Sequence, residues 1–440
     1  MKIVDPRAPV VGGLKLGALS YTEAAIYWTA LLTPLWWLLG VQVLLYPAVV
    51  IILLIAGFSV DKLAKTPLPL SAWVWFAMSL TMLMTSVLAL NGVSFEQVAR
   101  LTVAFLKGYF LIFASLALPF FQPLRSAVIT RAVAWMAASY TLFLAISTAL
   151  WLFPLRGINK SLLASILPLA SSILPDDSGL NIGGSGEFLG LTVPRITGYT
   201  PDPPILATCA VLCIFICLGE PNRWLRQAAL LGSVLGLMFS FGRTGWLALP
   251  IAIAVNLLFR LAIVPQIVLG AAAMASFIGG LFAVSLEELF QGGVTQFNQA
   301  RGDGAESTKV RTKVISRTLE LWQESPWTGW GLIQHRVHLY ENAYMPATTF
   351  STYAAVLYLH GAIGFVVFLL AMLATLWDVY KPSIRGDALA ARACGSLVAL
   401  YLMFGTTTLS WMAPYLWFFF IWLGTVIREA TLPPLQKAVA

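Results

Sequence analysis

Twelve apolar runs, each close to the length that crosses a bilayer, constrain this chain more than any motif does. They cover residues 22–39, 41–58, 69–90, 97–120, 127–153, 203–219, 224–240, 244–262, 265–286, 352–377, 390–411 and 413–428. A helix needs about 20 apolar residues to span the hydrocarbon core, where lipid offers its backbone no hydrogen-bond partner. Composition agrees, since 59% of the 440 residues are hydrophobic and 10% are charged, whereas soluble proteins carry about 25% charged residues. The chain reads as an all-α integral membrane protein with about 12 transmembrane helices. The break at Gly40 separates this count from an eleven-span alternative in which 22–58 is one interrupted helix.

Charge placement gives the topology. The 27 Lys and Arg against 19 Asp and Glu make a net charge of +8, which has a topological cause here, so no nucleic-acid partner is expected. With both termini cytoplasmic, the short inner connections carry Lys62, Lys65, Arg125, Arg131, Arg223, Arg226, Arg260, Lys381, Arg385 and Arg392. The short outer connections carry only Arg243. Residues 1–153 are then five helices, 154–202 a first extracytoplasmic loop, 203–286 helices six to nine, 287–351 a large extracytoplasmic loop, and 352–440 the last three helices and a cytoplasmic tail. Within the large loop, 307–325 has the spacing of an amphipathic helix, so this loop is expected to form a partly helical cap. The N-terminal MKIVDPRAPVVGGLKLGALSY lacks an apolar stretch ending in a small-residue cleavage site, so no removed signal peptide is expected.

Four cysteines, Cys209, Cys213, Cys217 and Cys394, fall in apolar runs, and three of them share one helix face. With no His or carboxylate beside them they read as packing residues; neither a disulfide framework nor a metal site is expected.

Basic residues on the outer side need a reason to be there. Arg243, in SFGRTGW, sits in a connection too short to hold it away from the bilayer surface; a snorkelling anchor is the alternative to a functional role. Arg100 and Lys107 lie seven residues apart on one face of the 97–120 run, where an ionisable residue is a functional candidate. In PRITGYTPDPP, Asp202 and Pro203 suit the cap and first turn of a helix, but Arg195 has no such structural role. A rigidly held Arg suits a bidentate grip on phosphate.

The order of these elements carries a resemblance. R-x-x-G-x-x-x-D/N-P opens a span as Arg195, Gly198, Asp202 and Pro203; S-x-x-R-T-G follows as Ser240, Arg243, Thr244 and Gly245; a long loop then ends R…P-x-x-G-x-G as Arg311, Pro326, Gly329 and Gly331. This series resembles the O-antigen ligase and polymerase superfamily, by motif over about 190–370 and by span placement over the whole chain. The resemblance implies a glycosyltransferase of the bacterial inner membrane, needing no metal or other cofactor. It would move a glycan from an undecaprenyl pyrophosphate carrier to another glycan or to lipid A core, with membrane lipids around it and its site on the extracytoplasmic face. It also implies pyrophosphate binding by the motif residues Arg195, Arg243 and Arg311; Arg100, and more weakly Lys107 and Arg317, are candidates for the same role by their charge and position alone.

Relatives commonly carry a His where TTFSTYAAVLYLHGAIG has Phe350. His338 and His335 are the candidate replacements, since imidazole can accept a hydroxyl proton near neutrality; surface placement is the alternative for both. Glu341 and Tyr340 are further candidates, and His360, inside a span, reads as a packing residue. Alternating charge around Arg311 and Arg317 also fits a solvated helix face. The glycines of IGGSG are followed by no Lys-Ser/Thr and do not read as a nucleotide loop. Trp322, Trp327 and Trp330 suit an interfacial belt or a sugar-stacking wall. A transporter or flippase of lipid-linked oligosaccharide is the competing function, disfavoured by exceptional charges gathered at one face, and a scaffold of an export complex, which would need no coherent phosphate site, is a third.

Overall fold

Each apolar run that the structure describes becomes helix, and the helices pack into one bundle. The computed structural model describes residues 10–11, 14–15, 19–65, 67–90, 94–152, 166, 180–188, 191–258, 270, 274, 276–277, 304–340 and 343–431. The helices are α1 (Tyr21–Leu31), α2 (Thr33–Leu39), α3 (Gln42–Gly57), α4 (Val60–Lys65), α5 (Leu70–Leu88), α6 (Phe95–Lys107), α7 (Tyr109–Phe121) and α8 (Ser126–Leu152). They continue as α9 (Pro203–Cys217), α10 (Arg223–Phe239), α11 (Arg243–Leu258), α12 (Gly304–Gln323), α13 (Thr352–Ser383), α14 (Ala388–Met403), α15 (Leu409–Met412) and, after a 3-10 turn at Ala413–Leu416, α16 (Trp417–Thr431). Three antiparallel pairs complete the list: β1 (Val10–Val11) with β2 (Leu14–Lys15), β3 (Gly183–Phe188) with β4 (Leu191–Ile196), and β5 (Arg336–Tyr340) with β6 (Ala343–Pro346).

The centre of the bundle is α9, apolar on every side and buried from Ile205 to Cys217. A helix without a polar face has no reason to meet water. Packed against α7, α16 buries Trp417, Phe418, Phe419 and Trp422. Small residues let neighbouring backbones close up: a Cβ on Gly424 of α16 would lie 2.7 Å from the Leu116 carbonyl oxygen of α7, and one on Gly232 of α10 2.1 Å from that of Ala137 on α8. The outer faces carry Ile52, Ile55, Met84, Leu142, Val366 and Leu373, all exposed. Large apolar side chains on both the inside and the outside belong to a bundle solvated by lipid. The four cysteines are free and buried.

The elements depart from the sequence reading in several places. Among the described residues four helices are long and apolar enough to cross a membrane, or five if α6 and α7 form one span. The run at 97–120 is not continuous: it bends by 41° between α6 and α7, at Gly108. The part before the bend is strongly amphipathic, opened by a capping box of Ser94 with Gln97, so Arg100 and Lys107 ride a half-exposed helix. The run at 22–39 breaks at Leu32, and the break at Gly40 is real, that glycine holding a left-handed cap with φ 73°. The run at 390–411 stops at Met403. The expected amphipathic helix at 307–325 is α12. The fold is not purely helical, because two hairpins sit in the polar connections. The run at 265–286, and the loop segments 154–179 and 287–303, lie outside the described residues apart from 166, 270, 274, 276 and 277.

One buried ion pair ties three elements. Arg131 of α8 meets Glu220, between α9 and α10, with Nη2 2.5 Å from Oε1, and the two side chains are 4% and 0% exposed. Glu220 Oε1 also accepts from the Asn222 amide at 2.9 Å, which turns the chain into α10. Removing one partner strands the other in a low dielectric, so Arg131→Met is expected to cost about 3–5 kcal/mol, read in detergent as a lowered thermal midpoint. The double change with Glu220→Met should recover most of that loss. A single variant as stable as wild type would mean that water reaches the carboxylate.

Candidate functional site

The R-x-x-G-x-x-x-D-P element folds as a strand, a turn and a helix start. Arg195 stands on β4 opposite Gly184 of β3. The glycines of IGGSG form that partner strand, and at Gly183 a Cβ would lie 2.0 Å from the Arg195 carbonyl oxygen, so a side chain there has no room. After Arg195 the chain turns at Gly198, with φ 60°. Tyr199 then anchors the turn to α8, its hydroxyl donating to the Ser139 carbonyl at 3.1 Å. Asn181 braces it from β3's side, accepting from Thr197 Oγ1 on its carbonyl at 2.6 Å and donating from Nδ2 to the Pro201 carbonyl at 2.8 Å. Asp202 follows as the residue before α9, and Pro203 takes the first turn as expected. The expected capping by Asp202 is only half made: its carbonyl accepts from Ile205 and Leu206, but its carboxylate makes no capping bond.

The S-x-x-R-T-G element is the turn between α10 and α11. Phe241 takes the left-handed region at φ 53°, the only described non-glycine residue to do so. The Ser240 hydroxyl holds the turn by accepting from the Gly242 amide at 3.1 Å. A Cβ on Gly242 would come within 2.4 Å of Ala207, and one on Gly245 within 2.8 Å of Leu237, so both glycines let the turn press against α9 and α10. Arg243 is thereby fixed as the first residue of α11. The two elements meet where Arg195 Nε donates to the Ser240 carbonyl at 3.2 Å.

Electrostatics show what shares this corner. Burial pushes the Arg195 guanidinium below its usual range, Asp202 opposes that, and the like charge of Arg243 adds to it. Burial pushes the Asp202 carboxyl up, opposed by Arg195 and by Arg311 of α12. Arg195 therefore acts with both Asp202 and Arg243, and Asp202 with Arg311, which links β4, the start of α9, α11 and α12. Arg243 also stands at a helix N-terminus, where the macrodipole disfavours a cation and favours an anion. Arg311 is steadied by the Phe350 ring, its Cζ 5.3 Å from the ring centroid. Phe350, where a titratable His was expected, is thus a platform for a guanidinium.

The P-x-x-G-x-G element is a splice into α13. That helix breaks at Gly361, with φ 62° and ψ −168°. The carbonyls of Tyr358 and Leu359, freed by the break, accept from the amides of Trp330 and Gly331, both at 2.8 Å. In return the amides of Ala362 and Ile363 donate to the carbonyls of Pro326 and Trp327 at 2.8 and 3.2 Å. Gly329 and Gly331, at φ 67° and 65°, have no room for a Cβ against Leu359, His360 and Thr85.

With this geometry the comparison with known families is direct: residues 228–369 match the family model described as O-Antigen ligase. That segment resembles the O-antigen ligase family. No curated protein matches the chain. The O-antigen ligase segment holds the Arg243 turn, α12 with Arg311, the β5–β6 hairpin and the splice in α13, and it leaves Arg195 and Asp202 upstream.

Other candidates sit elsewhere in or around the O-antigen ligase segment. Arg100 pairs with Glu96 at 2.5 Å on exposed α6, and Lys107 ends that helix. Arg317 pairs with Glu320 at 2.7 Å on the exposed face of α12. His335 Nδ1 lies 2.8 Å from the Tyr358 hydroxyl, with Trp330 edge-on to its ring. His338 is exposed on β5 with its ring 5.0 Å from that of Tyr344. His360 is buried, its Nδ1 2.7 Å from Thr85 Oγ1, as a packing residue should be. Tyr340 ends β5 opposite Ala343, and Glu341 lies outside the described residues. Trp322 and Trp330 spend their indole N–H groups on the carbonyls of Pro326 and Leu321, while Trp327 is exposed. Among the described residues no group of three or more His, Cys, Asp or Glu is placed to hold a metal. Sequence reasoning read Asp202 as a helix cap, whereas its carboxylate makes no capping bond and is acted on by Arg195 and Arg311.

Proposed function

We propose that this membrane protein transfers a glycan from an undecaprenyl pyrophosphate carrier to an acceptor, as an O-antigen ligase or a polysaccharide polymerase. The observation that supports the proposal is the seating of Arg195 on the Arg243 turn, its Nε donating to the Ser240 carbonyl at 3.2 Å, with Asp202 acting on Arg195 and on Arg311. Like charges brought together and partly desolvated are unfavourable alone and favourable around an anion. A pyrophosphate on a lipid tail supplies that anion at the membrane interface. As the anomeric carbon–oxygen bond breaks, negative charge builds on the departing pyrophosphate, and guanidinium groups already in place stabilise it without reorganising. In this reading the bundle lies in the bacterial inner membrane as about 12 spans, both termini are cytoplasmic, and the arginines face outward. The acceptor is another carrier-linked glycan or lipid A core. Arg100, Lys107 and Arg317 remain further candidates for the same anion in this reading.

The three cations do the work that a divalent ion does in other pyrophosphate chemistry, so no metal is required. The test is to incubate the purified chain with an undecaprenyl pyrophosphate glycan and an acceptor, with a chelator present, and to measure freed undecaprenyl pyrophosphate. Carrier release with glycan joined to acceptor is expected. Movement of the intact lipid-linked glycan across a vesicle bilayer without release would select a transporter instead. Activity lost on chelation and restored by a divalent ion would overturn the metal-independent mechanism.

A further inference from the structure

We infer that Gln334 and His335, on the connection between α12 and β5, form a subsite for a sugar hydroxyl in which His335 is a hydrogen-bond donor and not a base. That the sugar belongs to a transferred glycan rests on the reading above. Tyr358, buried in α13, fixes the imidazole. Its hydroxyl accepts from the amides of Gln334 and His335, both at 3.3 Å, and lies 2.8 Å from His335 Nδ1. A phenol has one hydrogen to give and two lone pairs. With the lone pairs taken by the two amides, the hydrogen goes to Nδ1, which must accept it. A neutral imidazole that accepts at Nδ1 carries its own hydrogen on Nε2. His335 therefore presents an N–H, and Nε2 has no hydrogen-bond partner among the described residues.

The surroundings hold this donor still. Trp330 stands edge-on to the ring at 4.6 Å, itself anchored by Nε1 on the Leu321 carbonyl and by its amide on the Tyr358 carbonyl. The His335 carbonyl accepts from the Ala347 amide at 3.2 Å, just past β6. So held, His335 is still only half-buried. The exposed Gln334 spends Nε2 on the Trp330 carbonyl at 3.3 Å, which leaves Oε1 as an acceptor beside the His335 donor. A hydroxyl uses both, since it gives one hydrogen and accepts others. A phosphate oxygen without a hydrogen uses only the donor, so the pair suits a saccharide better than the pyrophosphate assigned to the arginines. The hydroxyl can come from the carrier-linked glycan or from the acceptor. A general base is the competing role for His335, but it needs a bare Nε2, and Nδ1 is reached only through the buried Tyr358.

The chain has three His, so nitrogen-15 labelling of histidine in the full-length protein in detergent reads each imidazole, with the His335 signals assigned by their loss in His335→Gln. In wild type Nδ1 of His335 should be the bare nitrogen and Nε2 the hydrogen-bearing one, and Tyr358→Phe should release that preference. Adding undecaprenyl pyrophosphate glycan or, separately, lipid A core should move the Nε2–H signal, and the one that moves it identifies whose hydroxyl is held. In carrier-release kinetics His335→Ala should raise the KM for that same glycan by roughly 2–10-fold, the loss of one hydrogen bond. His335→Gln, whose amide places an N–H near the Nε2 position but takes up no proton, should keep kcat and a KM close to that of wild type. Hydrogen on Nδ1 with Nε2 bare would overturn the donor. So would a kcat lowered by roughly 10²–10⁴-fold in both variants with KM unchanged, which is the pattern of a base. If neither glycan moves a His335 signal, the subsite is removed. If a variant fails to fold, the wild-type nitrogen signals still decide. Wild type that shows the glycan-induced shift but releases no carrier would sink the transfer reading and leave the subsite standing.

Discussion

Arg243→Lys is expected to lower glycan transfer by roughly 100-fold or more while the protein stays folded and inserted. Removing one preorganised donor from a site of developing negative charge costs about 10²–10³ in rate. Lysine keeps the charge but presents a point rather than a planar fork, so a bidentate grip on a phosphate is lost. Position 243 makes the case sharper, because it is the first residue of α11 and shares its corner with Arg195. Both the helix dipole and the neighbouring guanidinium disfavour a cation there, by about 0.3–1 kcal/mol for the dipole alone. Arg243→Lys should therefore leave the thermal midpoint nearly unchanged, and Arg243→Ala should be scarcely worse than Lys in transfer. A snorkelling anchor gives the opposite pattern, since Lys reaches lipid headgroups as well as Arg does. Arg223→Lys, exposed at the other end of α10, serves as the control. Transfer by Arg243→Lys close to that control would remove Arg243 from the site.

Sequence periodicity reaches some of this architecture and not the rest, for physical reasons that differ by place. The apolar character of 203–219 on every side leads directly to a central helix, and Pro203 marks where α9 starts. The bend at Gly108 escapes a hydropathy reading because amphipathic α6 is continuous with very apolar α7, so an averaged window crosses both. The β3–β4 hairpin has glycines where strand formers would stand, because its strand must clear Arg195 rather than pack a core. Of the site, Arg195 and Arg243 are legible as basic residues lacking a local role. Asp202 is not, since a plausible cap explained it and only the fold reveals a carboxylate left over. The partnership of Arg311 with Phe350 joins α12 to the chain just before α13, and no local pattern announces a contact across that separation.

The break in α13 left no polar mark in the sequence, and this gives the other large expected effect. Elsewhere a glycine inside a helix is a weakness, and Gly→Ala there is expected to stabilise by about 1 kcal/mol. Gly361→Ala should do the reverse. At φ 62° and ψ −168° only glycine is comfortable, with strain of order 1–3 kcal/mol for other residues. A Cβ at 361 would also lie 2.2 Å from the Trp327 carbonyl oxygen. Healing α13 into a straight helix would relieve both, but only by expelling the Pro326–Gly331 segment and its four backbone bonds to Tyr358, Leu359, Ala362 and Ile363. That segment follows α12, so its release frees the helix that carries Arg311. The amides of Trp330 and Gly331, hydrogen-bonded to the Tyr358 and Leu359 carbonyls, should be protected from hydrogen exchange in wild type and exchange rapidly in Gly361→Ala. The thermal midpoint should fall, and glycan transfer should be largely lost although residue 361 touches no arginine of the cluster. A raised midpoint with protection intact would mean that α13 tolerates a continuous helix and that the loop does not depend on the break.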